Sequence, residues 1–307
     1  RIQAGSASAP LQGAASQRRS TQSLHPLSPG QEWMWRWQQR AAGTTLFNVP
    51  YGLLFTHDRP ARDVAKLLAA TLQRLDSLRL RFHRSGASAC QHVDTAPLDV
   101  KCADMADLCE TAQNFDDRAQ KRLAALAAEP FDLGSEAPVR IRLLHRNDRF
   151  ALLLVVHHIA IDGWSLSIVA DDLVRALTTG SPGGKRASFL ALAALQAERA
   201  AAYRSEFWQR YLAGLPPNPD RPGDLTRPLR FSCRGATVTT RLSGEETRRL
   251  RDIAARERLT PYHLLLAGFA LELGRRCEGC AAEVWIRSPI ADRHDTSMDV
   301  VGFCLST

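Results

Sequence analysis

Three features of the sequence predict an α/β fold organised in two lobes. The first is an unbroken apolar run over residues 151–156, of strand length and buried on both faces. It leads within ten residues into a helical face made by Leu166, Val169, Leu173, Val174 and Leu177. The second is a switch of hydrophobic period. Val64, Leu67, Leu68, Leu72 and Leu75 recur at helical spacing, and Leu78, Leu80 and Phe82 then alternate with Arg79 and Arg81 as in a strand. The third is a Ser-Pro-Gly-Gly cluster within residues 178–185, the natural boundary in a chain of 307 residues.

Taken in order, residues 1–24 are rich in Ser, Ala, Gly and Gln without periodicity and read as a disordered linker or leader. Order is expected to begin near Leu27. There Ser28 caps a helix, Pro29 takes its first position and Gln31 closes a capping box. Phe47-Asn48-Val49-Pro50 leads into a strand over 51–55, and the helix over 62–76 follows. A further helix over 117–128 stops before Pro130. Strands over 139–144 and 150–156 form a hairpin across the polar turn Arg146-Asn147-Asp148-Arg149. Beyond the boundary come two Ala-rich helical stretches, a Pro-rich loop and a strand near 236–242. Thr260-Pro261 then starts an apolar helix through Leu273, and a short strand covers 284–286.

The apolar run ends in His157 and His158, followed four residues later by Asp162 and then Gly163. Successive strand side chains point to opposite faces, so the two histidines cannot both enter one cavity. His157 is expected to face packed interior and His158 to be available for chemistry. Gly163 permits a tight turn or a close approach to the backbone. The helix that follows starts beside this corner, where its dipole favours negative charge.

The string His157-His158-x-x-x-Asp162-Gly163 resembles the HHxxxDG signature of the condensation-domain superfamily of acyltransferases, typified by nonribosomal peptide synthetases. Chloramphenicol acetyltransferase is a more distant relative. Other phrases follow in the family's order. The Ser28-Pro29-Gly30-Gln31 stretch resembles its first motif. Residues 74–82 resemble RHExLRTxF, with Leu75, Asp76 and Leu80 replacing His, Glu and Thr. Phe131-Asp132-Leu133, the Phe207-Trp208 segment and the stretch from Ser288 to Arg293 (compare PVAGR) resemble later phrases. Residues 301–307 resemble the fifth motif, with Ser306 where Asn is usual.

The resemblance covers residue 26 to the end. It implies the chloramphenicol-acetyltransferase-like fold, two lobes in a V with a channel between them. Residues 25–178 would form the N-terminal lobe and 179–307 the connection and an incomplete second lobe, because the family's second lobe continues further. It implies amide bond formation between a donor acyl or peptidyl thioester and an acceptor aminoacyl thioester. Both ride on phosphopantetheine arms of upstream and downstream peptidyl carrier proteins, with an adenylation domain expected in the same polypeptide. His158 would position the amine or act as its base, and Asp162 and Gly163 would shape the turn. His157, Arg79 and Arg293 would support the corner, Arg293 by pairing with Asp162. His157 argues against heterocyclisation members, and Trp164 before Ser165 against epimerising ones. Three readings stay open beside it: a free-standing acyltransferase, an inactive module that docks carriers, and a split or fragmentary domain that needs its missing half.

Composition narrows the remaining classes. Hydrophobic residues make up 45% and charged residues 23%, ordinary for a globular protein. No apolar run approaches the ~20 residues of a membrane helix. The N-terminus, with arginines at 1, 18 and 19, lacks a signal-peptide core. Seven cysteines without framework spacing suit a reducing, cytoplasmic compartment. Cys277-x-x-Cys280 lacks a second pair, so no metal site is expected, and no cofactor of the domain's own. A net charge of +8 favours acidic partners. Nucleic acid is not expected, since no basic run is interleaved with aromatics.

Overall fold

The computed structural model describes residues 23–41, 43–86, 88–105, 112–202, 205–214, 236–276, 286–294 and 297–306. A two-residue strand, β1 (His25–Pro26), precedes α1 (Pro29–Arg40). The capping box forms as the sequence predicts. The Ser28 hydroxyl accepts from the Gln31 amide at 3.2 Å, and Gln31 Oε1 accepts from the Ser28 amide at 3.0 Å.

After β2 (Asn48–Thr56) and α2 (Ala61–Gln73), the change of period comes slightly later than the alternation implies. Asp76–Arg79 is a turn of 3-10 helix, and β3 (Leu80–Ser85) starts only at Leu80. With β4 (Ser88–Val93) it forms a three-stranded sheet in the order β1-β4-β3. β5 (Val100–Asp104), α3 (Ala112–Ala127), β6 (Val139–Arg146) and β7 (Arg149–His157) complete the first half. The second sheet has the order β2-β7-β6-β5. Its β6–β7 turn needs only Asn147 and Asp148. Asn147 sits at φ 55, a left-handed value that asparagine tolerates.

β7 runs antiparallel between β2 and β6 and positions the site. Every residue from 150 to 157 is buried. Ala151 and Leu153 pack with Phe115, Ala119 and Leu144 beneath α3. Leu152, Leu154 and Val156 join the main core on the other face. Cover on both faces is why the run reads as continuously apolar. Asn48 binds α3 to this sheet, donating to the Ala127 and Glu129 carbonyls at 2.8 Å each.

α4 (Gly163–Thr179) ends on Gly180 at φ 71, and α5 (Phe189–Ala202) and α6 (Glu206–Tyr211) follow. α7 (Gly244–Arg256) and α8 (Pro261–Arg276) pack on each other, with Ala254 buried and no residue of α8 buried. Two short strands, β8 (Ile290–Ala291) and β9 (Leu305–Ser306), pair antiparallel. The segment leading into β9 returns to the first half. Val300, Val301, Phe303 and Cys304 lie in the main core with Phe189 and Leu192. A Cβ on Gly302 would fall 2.0 Å from Phe189 Cδ2, so only glycine lets this backbone lie against the ring.

One expected element is absent. Residues 236–242 are exposed and carry no regular structure, in place of the strand read there. Alternation alone does not hold a strand that lacks a neighbour to pair with. Residues 284 and 285, where the other short strand is expected, lie outside the described residues, as do residues 1–22, residues 215–235 with the expected Pro-rich loop, Cys277 and Cys280. Among the described residues no helix is long and apolar enough to cross a membrane, and no group of ligating side chains is placed to hold a metal ion.

Candidate active site

The two histidines occupy different settings at the end of β7, one inside the strand and one in the turn after it. His157, the last residue of β7, is fully buried, between Phe47 (ring centroids 5.7 Å) and Phe131 (5.8 Å, edge-on). Its Nδ1 accepts from the Ile159 amide at 3.2 Å. Nε2 therefore carries the proton and faces Gln38 Oε1 at 3.4 Å. Burial, with the neighbouring His158 as a lesser cause, lowers its pKa from 6.5 to about 3. The unfolded chain protonates this side chain near pH 6.5 and the folded one only near pH 3. Stability is thus full above pH 6.5 and falls with pH through that window. At ~1.4 kcal/mol per pH unit, about 2 kcal/mol is lost at this residue between pH 7 and 5. Denaturant unfolding at pH 7, 6 and 5 measures this, and His157→Gln should flatten the dependence by that amount. An unchanged slope would exclude His157 as its source.

His158 opens a 3-10 turn, His158–Ala160, between β7 and α4. Its amide donates to the Phe47 carbonyl at 2.8 Å, and its Nδ1 lies 2.5 Å from the Ile161 carbonyl. A carbonyl only accepts, so Nδ1 bears the proton and Nε2 keeps a lone pair. The ring is partly exposed and meets Phe303 edge-on, with centroids 5.3 Å apart. From behind, Gln31 Nε2 donates to the Ile159 carbonyl at 3.2 Å and to Gln91 Oε1 at 3.0 Å. The buried Gln31–Gln91 pair thereby fixes the turn.

Asp162 does not point at either imidazole. It caps α4, its Oδ1 accepting from the Ser165 amide at 2.7 Å. Arg293 Nη2 lies 3.0 Å from Asp162 Oδ1 and 3.1 Å from Oδ2, and the Cys304 amide donates to Oδ2 at 3.0 Å. Both charged side chains are withdrawn from solvent, at 0% and 2% exposure, the setting in which a carboxylate must be paired. Arg293 also donates to the Val300 carbonyl at 2.7 Å and to Ser165 Oγ at 2.7 Å. Ser165 Oγ in turn donates to the Gly302 carbonyl and accepts from its amide, at 2.8 and 3.0 Å. The result is one buried knot joining the start of α4 to the segments around 293 and 302.

Residues 21–307 match the condensation domain family. The chain belongs to that family. Similar curated proteins include the phosphinothricin tripeptide synthetase PhsC of Streptomyces viridochromogenes, 31% identical over 92% of this chain and 27% of its own length. Another is a dimodular nonribosomal peptide synthase of Bacillus subtilis, 29% identical over 92% of this chain and 12% of its own length. The chain thus spans about a quarter or less of these relatives. Among solved structures, the condensation domain of the monacolin K polyketide synthase MokA matches with a TM-score of 0.70 at 22% identity, over 92% of this chain and 66% of that one. The first condensation domain of the calcium-dependent antibiotic synthetase matches with a TM-score of 0.69 at 20% identity, over 92% and 67%. The fold is therefore the chloramphenicol-acetyltransferase-like α/β architecture of condensation domains.

Within this condensation domain the structure brings together His158, Asp162, Gly163, His157 and Arg293, and leaves Arg79 out. Arg79 Nη1 donates to the Asp94 carbonyl at 2.8 Å, and Nη2 lies 3.4 Å from Asp76. Arg81 pairs with Asp94 at 2.9 Å. Neither arginine braces Asp162, because both are engaged at the end of the β3–β4 pair, and Arg293 with backbone amides already saturates the carboxylate. Of the two uses expected of Gly163, a tight turn or a close approach, the local geometry fits the second. Its φ is not positive and a Cβ there would meet nothing within 4 Å. Glycine is not needed for the turn; what it leaves is open space beside the first turn of α4. The Cys304 thiol is pushed up to about 12, mainly by burial, which removes it as a nucleophile at neutral pH. Ser165 and Gln91 are structural members of the site that sequence reading did not single out.

Proposed function

We propose that this condensation domain joins a donor acyl or peptidyl thioester to the amine of an acceptor aminoacyl thioester. The observation that supports this best is the His158 side chain. Its Nδ1 proton is committed to the Ile161 carbonyl, while Nε2 is left free on a partly exposed ring. The acceptor amine attacks the donor carbonyl, a C–N bond forms, the C–S bond breaks and the thiolate leaves, receiving the proton that the nitrogen has passed to Nε2. Nε2 holds the amine by accepting its N–H and takes the proton that nitrogen must shed. The oxyanion is favoured by the start of α4, where Gly163 and Trp164 amides lack helical acceptors and Gly163 leaves room for approach. Asp162, Gly163, His157 and Arg293 shape this corner without taking part in bond making.

Both substrates arrive on phosphopantetheine arms of peptidyl carrier proteins, upstream and downstream, with an adenylation domain loading the acceptor. The domain needs no cofactor of its own and works in the cytoplasm, as its cysteine usage suits. Residues 25–178 act as the N-terminal lobe and 179–307 contribute the connection and the second lobe. The test is to mix the domain with one donor-loaded and one acceptor-loaded carrier and weigh the acceptor carrier by intact-protein mass spectrometry. A mass gain equal to the donor acyl group is expected. Turnover of a soluble thioester but of no carrier pair would make the protein a free-standing acyltransferase, and carrier binding without product would make it a docking module.

The charge of +8 adds a second expectation. Carrier association should weaken by about tenfold between low and physiological salt, as charges are screened over ~8–10 Å. Fluorescence anisotropy of a labelled carrier measures it. Affinity independent of salt would remove the electrostatic contribution.

A further inference from the structure

Asp162 has no contact with the reactive imidazole in its bonding pattern, yet it lies at the centre of the corner. The geometry points to Phe303 as the positioning residue that transmits the Asp162–Arg293–Ser165 knot to His158. The inference rests on His158 being the reacting group.

Two anchors hold His158, its backbone amide on Phe47 and its Nδ1 on the Ile161 carbonyl. A ring held at Cβ and at one nitrogen can still swing about the line between them, carrying Nε2 with it. Phe303 lies against that swing, with its ring plane 85° from the imidazole and centroids 5.3 Å apart, a favourable aromatic arrangement.

The Phe303 ring is also held against α1. At Gly30 a Cβ would sit 2.5 Å from Phe303 Cε1 and 3.1 Å from Cδ1, so the ring lies directly on the helix backbone. α1 is in turn tied to the His158 turn through Gln31 and the Ile159 carbonyl. Along the chain, both neighbours of Phe303 are pinned. The Gly302 amide and carbonyl bond Ser165 Oγ, and the Cys304 amide bonds Asp162 Oδ2. Each displacement of Asp162 or Ser165 therefore moves the backbone on one side of Phe303. The carboxylate acts on His158 through an aromatic ring and not through a proton.

The test combines turnover with the state of the imidazole. In domain labelled with 15N-histidine, the His158 signals are assigned among nine histidines by their loss in His158→Gln. Wild type should show a single tautomer with the proton on Nδ1. Phe303→Ala should show averaged nitrogen shifts from both tautomers, with kcat at least 30-fold lower and the KM for each carrier within about twofold. Phe303→Leu, which keeps most of the volume, should lose only three- to tenfold. Leu152→Ala, a fully buried core change, serves as the stability control and should leave the His158 signals as they are. If Phe303→Ala does not fold, Phe303→Leu carries the same two readings. A wild-type His158 spectrum with kcat within threefold in the folded Phe303 variant overturns the proposal. Full turnover by His158→Gln would instead overturn the catalytic reading, and the spectrum of the Phe303 variants would still decide whether Phe303 orders the ring.

Discussion

His158→Ala should lower the rate of amide formation by about 10²–10⁴-fold, the usual worth of a positioned acid–base group, while folding and carrier binding persist. The size follows from what is removed. Nε2 is the acceptor left free by the Nδ1–Ile161 bond, and among the described residues no second base replaces it at this corner. His157 is buried with both nitrogens engaged, and the Cys304 thiol stays protonated. Asp162 is spent on Arg293, Ser165 and Cys304. Folding should survive because the His158 ring is partly exposed and its loss empties little of the core. His157→Ala should behave in the opposite way. It leaves a cavity between Phe47 and Phe131 and frees the Gln38 oxygen and the Ile159 amide, so it costs stability first. Stopped-time product mass for each variant, beside unfolding midpoints, separates the two. Equal turnover by wild type and His158→Ala would favour a module that only docks carriers.

The parts of this site that were legible in the sequence are those fixed by local rules. Strand alternation anticipates a buried His157 and an available His158, although His158 itself lies in the 3-10 turn just past β7, and the helix starting at Gly163 follows from its apolar face. The Ser28–Gln31 box was likewise legible, because capping involves residues three apart. The Asp162–Arg293 pair joins residues 131 apart and came from family resemblance alone. Ser165 and Gln91 were not found because their roles depend on distant backbone groups. Ser165 bonds Gly302, 137 residues on, and Gln91 meets Gln31 across two elements, contacts with no spacing to betray them. Arg79 shows the reverse error. Its motif position suggested a role at the corner, whereas the 3-10 turn before β3 directs it to Asp94 and Asp76. For Gly163 the sequence allows a tight turn or a close approach, and what separates them, the local φ and the space beside α4, is set by the fold.

Asp162→Asn should cost the domain about 3–5 kcal/mol of stability, the range for breaking a buried ion pair from one side. The asparagine oxygen can still accept from the Ser165 amide, so the α4 cap survives in part. Its NH₂ group, however, faces donors, either Arg293 Nη2 or the Cys304 amide. One of those bonds must open, and Arg293 remains charged at 2% exposure with no carboxylate. Turnover should fall with it, since both neighbours of Phe303 hang from this knot. The fall should come from misplacement of His158 and not from loss of a proton carrier. The pH–rate profile should therefore keep its shape while its height drops. A double-mutant cycle with Arg293→Gln makes the pairing quantitative. The Asp162→Asn/Arg293→Gln domain should be more stable than the sum of the single losses by at least about 1 kcal/mol, because neither charge is then stranded. Additive losses, or an Asp162→Asn domain with wild-type stability and rate, would show that the carboxylate merely caps α4 and that the arginine braces nothing.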